Sequence, residues 1–397
     1  MIALEKNELT TLTPLTPPTP TIEKWDDFEL NISLLRGIYS YGFENPSAIQ
    51  KKTILPIINK QDVIAQAQSG SGKTGAFTIG SLQNVNVKEN KTQILVLAPT
   101  HELAKQISSV FQSIGLFYDG LKIKTLIGGN SINDDVKDIK NNTPHVVVGC
   151  TGRILDMIQR QHIHTHHIKT LIIDEADEML SFGFKENIYN IFQSLNENTQ
   201  VCIFSATLPE DVLLLTNKFM RNPVKIIMKA EELNVESIQQ FFIALENDNH
   251  KYETIKDLFS NLIVSQSIIY ANSVGRVMNL YDSMTKDGFS VCCIHSNMSK
   301  NDREHAFAEF RKGASRVLIS SNITARGIDI QQVSTVINFD IPKDVNSYLH
   351  RIGRSGRYGR KGLAINFVTR YDVSLMKHIE THYKINIPEF PANFAFF

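Results

Sequence analysis

The chain has 397 residues, too many for one ordinary hydrophobic core, so its length favours two domains of roughly 150 to 200 residues with a cleft between them. Hydrophobic residues make up 42% and charged residues 21%, and no run of 18 apolar residues occurs, which excludes a largely disordered chain and a helical membrane span. Lysine plus arginine balances aspartate plus glutamate at 41 each, so any polyanion has to be gripped by local patches and oriented backbone amides, not by a global positive field.

The first residues, MIALEKNELT, carry acids where a secretory signal needs a basic start and an apolar run, so a cytoplasmic location is expected. The Thr/Pro-rich TLTPLTPPTPT cannot keep helical or ladder hydrogen bonds, and residues 1–23 are predicted to be a flexible extension. Over residues 24–228 the apolar runs VIAQA, ILVLAPT, HVVVG, TLIIDEA and VCIFSAT alternate with amphipathic stretches, the pattern of βα units around a parallel sheet. The histidines of HIHTHH, 162–167, fall between a helix and the TLIIDEA run and are expected on a surface loop. Polar residues 229–237 break the pattern and are predicted to be a linker. A second series, QQFFIAL, SIIYAN, VCCIHS, RVLISS, TVINFD and AINFVT, makes residues 238–397 a second α/β domain. Cys150, Cys202, Cys292 and Cys293 lack CxxC spacing and sit in apolar strand-like runs, which reads as buried free thiols.

After the buried-strand run DVIAQA comes AQSGSGKT, followed by the helix-compatible GAFTIGSL. In the loop Ser69, Gly70, Ser71, Gly72, the glycines can turn amides toward phosphate oxygens, and the following helix N-terminus adds partial positive charge. Lys73 supplies a compact ammonium for the β and γ phosphates of ATP, and the Thr74 hydroxyl suits Mg²⁺. Further on, LIID ends an apolar strand at Asp174, at the strand end where open α/β sheets bind ligands. Asp174 is expected to hold Mg²⁺ through its water shell, and Glu175 to orient and deprotonate the attacking water.

With the phosphate loop, the sequence DEAD at 174–177 resembles the DEAD-box RNA helicases, and EADEML extends that match. The resemblance spans residues 25 to 397 and implies two tandem RecA-like parallel-sheet domains joined by a short linker. In the family, Ser205 and Thr207 of SAT contact the last acid, here Asp177, and couple hydrolysis to RNA grip. GFENPSAIQ looks like the Q motif: the Gln50 carboxamide matches adenine N6 and N7 as a bidentate pair, and Phe43 can stack on the base. Trp25 stands where the family has an upstream aromatic, either adenine-proximal or structural. In YLHRIGRSGR, Arg354 and Arg357 resemble arginine fingers supported by His350 and Arg351, and Asp329 of ARGID would accept from the ribose hydroxyls.

Family RNA contacts map onto Pro99, Thr100, Gly128, Gly129, Gly152, Arg153, Arg303, Ser320 and Ser321, short groups that hold phosphates and 2′-hydroxyls without reading bases. The chain departs from the family pattern at His101, Cys150, Thr151, Ser296, Lys300, Ser320, Ser321 and Asn322, all on or near the RNA side. Runs such as LLRGIYSYGFENPSAIQ are similar to the translation-initiation branch of the family. That resemblance implies a monomer with ATP and Mg²⁺ as cofactors, RNA-stimulated ATP hydrolysis, local non-processive unwinding of short duplexes, and a scaffold protein of translation initiation as partner. An ATP-gated RNA clamp with little strand separation is the alternative.

Overall fold

Runs of β-branched and other apolar residues, bounded by Gly, Pro and Asp, become the strands of two separate parallel sheets. The computed structural model describes residues 22–67, 70–181, 183–228, 238–261, 265–322, 333–355 and 362–391. The predicted N-terminal extension, apart from its last residues, and the predicted linker lie outside them.

The first sheet comprises β1 (Val63–Gln66), β2 (Ile94–Leu97), β3 (Ile123–Leu126), β4 (Val146–Gly149), β5 (Thr170–Ile173), β6 (Gln200–Ser205) and β7 (Val224–Ile227), in the order β3-β4-β2-β5-β6-β1-β7. The second comprises β8 (Ile238–Ala244), β9 (Ser267–Tyr270), β10 (Val291–Ile294), β11 (Val317–Ser320), β12 (Thr335–Asn338) and β13 (Gly362–Val368), in the order β10-β11-β9-β12-β13-β8. All neighbouring strands are parallel and helices cover the faces, the RecA-like arrangement. Every run read from the sequence becomes a strand; β3 and β7 were not anticipated. Both are edge strands with exposed or half-buried positions, so neither shows the continuous apolar run of a central strand.

Strand alternation divides the first core between the two faces of the sheet. Ile94 and Val96 pack with Trp25, Ile54, Phe77, Phe111 and Phe204, while Leu95 and Leu97 pack with Ile139, Leu171, Ile173 and Ile191. Each such fully buried side chain contributes roughly 1.5–3 kcal/mol of transfer free energy. The ordering places the C-terminal ends of β1, β5 and β6 side by side, and the residues that follow them form the site.

The four cysteines are free; Cys202 and Cys292 are buried as expected, whereas Cys150, just past the end of β4, and Cys293, on the edge strand β10, are half-buried. Desolvation pushes the Cys150 and Cys292 thiols up to about 12, which leaves them unreactive near neutral pH. His164 and His166 are exposed around the short turn Thr165–His167. Among the described residues no helix is long and apolar enough to cross a membrane.

Candidate active site

The helix Lys73–Leu82 starts at Gly72, whose φ of 100° lies in the left-handed region that costs a glycine nothing. The Q-motif segment braces this turn from the neighbouring helix Ala48–Ile58. Ser47 Oγ donates to the Ser71 carbonyl (2.8 Å) and Gln50 Nε2 to the Gly72 carbonyl (3.2 Å), while Gln50 Oε1 accepts from the Ser47 amide at the helix start. Gln50 is thus buried against the phosphate loop. Phe43 lies beside it: a Cβ added at Gly75 would meet Gln50 Nε2 at 2.7 Å and Phe43 Cε2 at 2.8 Å. Trp25 is fully buried, stacks on Phe43 at 6.0 Å and donates its indole N–H to the Phe43 carbonyl. It thereby anchors Phe43. Of the loop's residues, Ser69 lies outside the described ones.

Lys73 is buried, donating to the Ala67 carbonyl at 2.9 Å and reaching Glu175 Oε1 at 3.5 Å. Asp174 and Glu175 follow β5 and are buried with it. Burial, reinforced by the negative charge of Glu175, raises the Asp174 carboxyl to about 7. Glu175 sits at a φ of 50°, a strained conformation for a residue with a Cβ, and among the described residues its Oε2 has no hydrogen-bond partner. Three buried carboxylates, Asp174, Glu175 and Asp177, surround the one ammonium of Lys73, a donor set that suits a hard divalent cation, and Asp174 and Thr74 are the residues the sequence assigns to it.

Asp177, one turn further on, ties this cluster to β6 and to the second lobe. Its amide donates to Ser205 Oγ at 3.1 Å, and its Oδ2 accepts from Thr207 Oγ1 at 2.7 Å and from the Thr207 amide. His350 Nε2 approaches the same oxygen from the other lobe at 3.5 Å. Burial acts to raise the Asp177 carboxyl, but the approach of His350 and the hydrogen bond from Thr207 outweigh it and hold the group below the usual carboxylate range.

His350 belongs to the helix Val345–Ile352, and Arg354 follows its end, buried, with Nε donating to the His350 carbonyl at 3.1 Å. Arg351 points away from Asp177 into its own lobe, bonded to Asn272, Asn322, Asn338 and the Asp340 carbonyl. Arg357 and Asp329 lie outside the described residues. Sequence reasoning did not single out Asn272, Asn338 or Asp340; the signal available was an asparagine inside the apolar run TVINFD.

On the RNA side, Thr100 caps the helix His101–Ile114 by accepting from the Leu103 amide, next to Pro99. Gly128 packs under His101, and Gly129 takes a φ of 82°. The Gly152 Cα faces open space. The Arg153 guanidinium is bonded to the Asp135 carboxylate and, at 2.9 Å, to the Asn130 carbonyl, and Asp135 also pairs with Lys124. It therefore braces the Gly129–Asn130 loop. Ser320 Oγ donates to the Ile294 carbonyl at the end of β10, beside Ser321, and among the described residues the Arg303 Nε has no hydrogen-bond partner. Lys105 and Glu304 make a second contact across the lobes at 2.5 Å, which the sequence reading did not anticipate.

One parallel-sheet lobe with a phosphate loop, closed by a second lobe that reaches its acidic cluster, defines the class of two-lobed RecA-type nucleoside triphosphatases. Residues 47–215 match the family model for the DEAD/DEAH box helicase, and residues 250–359 that for the helicase conserved C-terminal domain. The chain belongs to the DEAD-box family and is an ATP-dependent RNA helicase, an enzyme that hydrolyses ATP. It is 49% identical over 372 residues to the ATP-dependent RNA helicase eIF4A of Lodderomyces elongisporus, covering 94% of this chain and 93% of the relative. It is 50% identical over 375 residues to that of Phaeosphaeria nodorum, covering 94% of each. Among solved structures, Saccharomyces cerevisiae Dbp5 bound to RNA and ADP BeF3 is similar with a TM-score of 0.85 and 33% identity, over 93% of this chain and 96% of that one.

Proposed function

We propose that the protein couples RNA-stimulated ATP hydrolysis to local, non-processive separation of short RNA duplexes during translation initiation. The observation that carries the reading is the junction at Asp177, where β6, the acidic cluster and His350 of the second lobe meet on one carboxylate. Because each lobe holds part of the site, hydrolysis waits on closure, and RNA bound across both lobes favours the closed form. In this reading Gln50 and Phe43 take the adenine; Gly70, Ser71, Gly72 and Lys73, with Ser69, take the phosphates; Thr74 and Asp174 hold Mg²⁺; and Glu175 activates water. Arg354 and Arg357 neutralise the developing charge, and Asp329 holds the ribose. Asp177, Ser205 and Thr207 pass the state of the nucleotide to the RNA side. There Pro99, Thr100, Gly129, Gly152, Arg303, Ser320 and Ser321 contact the sugar-phosphate backbone, with Arg153 shaping the loop beside them.

The eIF4A name of the relatives supports the translational setting; a cytoplasmic monomer working with a scaffold protein of the initiation machinery belongs to the same proposal. ATPase rates with and without single-stranded RNA, beside a strand-displacement assay, test this. RNA should raise the parent rate, and Lys73→Ala should abolish it; a Lys73→Ala protein as fast as the parent excludes the reading. ATP-dependent RNA binding without displacement would favour the clamp instead.

A further inference from the structure

The helix Val345–Ile352 presents His350 to the first lobe, so its rotation on the second sheet decides whether the lobes can meet at Asp177. Its buried face has two polar side chains three residues apart, Tyr348 and Arg351, both with no exposed surface. Apolar helix-on-sheet packing tolerates small rotations, whereas a buried hydrogen bond fails when its partners move by a few tenths of an ångström. The sheet beneath holds the matching partners. Tyr348 donates its hydroxyl to Gln240 Oε1 on β8 (2.8 Å) and accepts from Asn366 Nδ2 on β13 (3.3 Å). Arg351 Nη1 donates to Asn338 Oδ1 on β12 (3.2 Å).

Asn338 and Asn366 lie opposite each other in the β12–β13 register, both fully buried. Asn338 Nδ2 donates to Asn366 Oδ1 at 2.8 Å, and Asn366 Nδ2 also donates to the Phe241 carbonyl at 2.9 Å. The two helix pins are thereby joined through the sheet into one network running Gln240, Tyr348, Asn366, Asn338, Arg351. Beyond Arg351 it ends in carboxamides and a carbonyl: Asn272 Oδ1 and the Asp340 carbonyl, each at 2.7 Å, and Asn322 Oδ1. Among the described residues no carboxylate hydrogen-bonds this guanidinium, which lies over the Tyr270 ring. Two amides in the middle of apolar parallel strands cost several kcal/mol each if left unpaired, and a leucine at either place would fit the pattern of its strand.

We propose that Asn366, Asn338 and Tyr348 are positioning residues of the ATPase: their buried hydrogen-bond network fixes the rotation of the helix that presents His350 to Asp177 and leads into Arg354. This rests on the helicase reading above, and all three belong to the second lobe. The network acts on the second lobe alone, so ATP binding by the first lobe is indifferent to it, and the closed, RNA-stimulated state is not.

The test uses Tyr348→Phe, which removes one oxygen, Asn366→Leu, and the double variant, all in the full chain and below their melting temperatures. We expect the RNA-stimulated kcat to fall at least about tenfold in Asn366→Leu, with less loss in Tyr348→Phe, and the KM for ATP to stay within about twofold. Because the network acts as one unit, the double variant should be no slower than Asn366→Leu alone. Variants that melt earlier yet keep the parent kcat would reduce the network to a stabilising role and overturn the inference, as would strictly additive losses. Should Asn366→Leu not fold, Tyr348→Phe decides the matter, since its ring packing is kept. The parent rate with RNA, measured alongside, tests the helicase reading itself; variants equal to an active parent overturn only the positioning role.

Discussion

Glu175 concentrates the cost of function in one residue: a buried carboxylate, an oxygen with no hydrogen-bond partner among the described residues, a left-handed backbone and an acidic neighbour at Asp174. Glu175→Gln keeps its size and removes its charge. It should slow ATP hydrolysis by about 10²- to 10⁴-fold while raising the stability of the nucleotide-free protein by about 1 kcal/mol, read as turnover and as a thermal melt. An opposite lesson holds at His145, buried between β3 and β4, whose Nδ1 accepts from the Lys122 amide at 3.0 Å. Burial lowers its pKa, against a smaller pull from the Val87 carbonyl. The unfolded chain then binds the proton more readily than the folded one, so stability falls as pH drops below the ordinary histidine value of about 6.5. His145→Asn retains an acceptor without the titration. It should lose less melting temperature than the parent between about pH 7 and pH 5.5; an equal loss would place the acid sensitivity elsewhere.

At the scale of elements, the adenine side depends on how closely the helix Lys73–Leu82 approaches the helix Ala48–Ile58. Gly75 leaves room for both Gln50 and Phe43, and an alanine there displaces the ends of two side chains, not backbone. Gly75→Ala should therefore weaken ATP binding by about tenfold, measured by titration of a fluorescent nucleotide, with little loss of melting temperature because alanine favours the helix. The phosphate loop, the acid after β5 and the central strands were legible because each is a local signal, an apolar run ending in a glycine turn or a carboxylate. Edge strands β3 and β7 were not, since three of the four positions in each are exposed or half-buried and the apolar run disappears. Arg153 was read as an RNA ligand from its motif, yet Asp135, 18 residues before it, engages its guanidinium. The asparagines of TVINFD and AINFVT were visible in the sequence, but only the β12–β13 register makes them partners.

For the whole molecule, the two lobes meet at contacts of different kinds. His350 and Asp177 lie buried over the nucleotide side, whereas Lys105, one turn beyond His101, and Glu304, next to Arg303, each keep nearly half of their side-chain surface exposed on the RNA side. An exposed ion pair is worth about 0.2–1 kcal/mol and would be negligible within one domain. Between lobes that open and close, the same energy enters the closure equilibrium directly, and at the upper end shifts it about fivefold. Lys105→Glu and Glu304→Lys should each raise the RNA concentration needed for half-maximal ATPase, by about two- to fivefold at low salt, and the exchanged pair should restore it. Salt screens such a pair, so the differences should shrink as ionic strength rises past about 0.15 M. A phosphate ligand at Lys105 makes the opposite prediction for the exchanged pair: glutamate at 105 would still repel RNA, and no restoration would follow. The cycle thus separates a latch between lobes from a hand on the strand, and either result says how much of closure RNA has to supply itself.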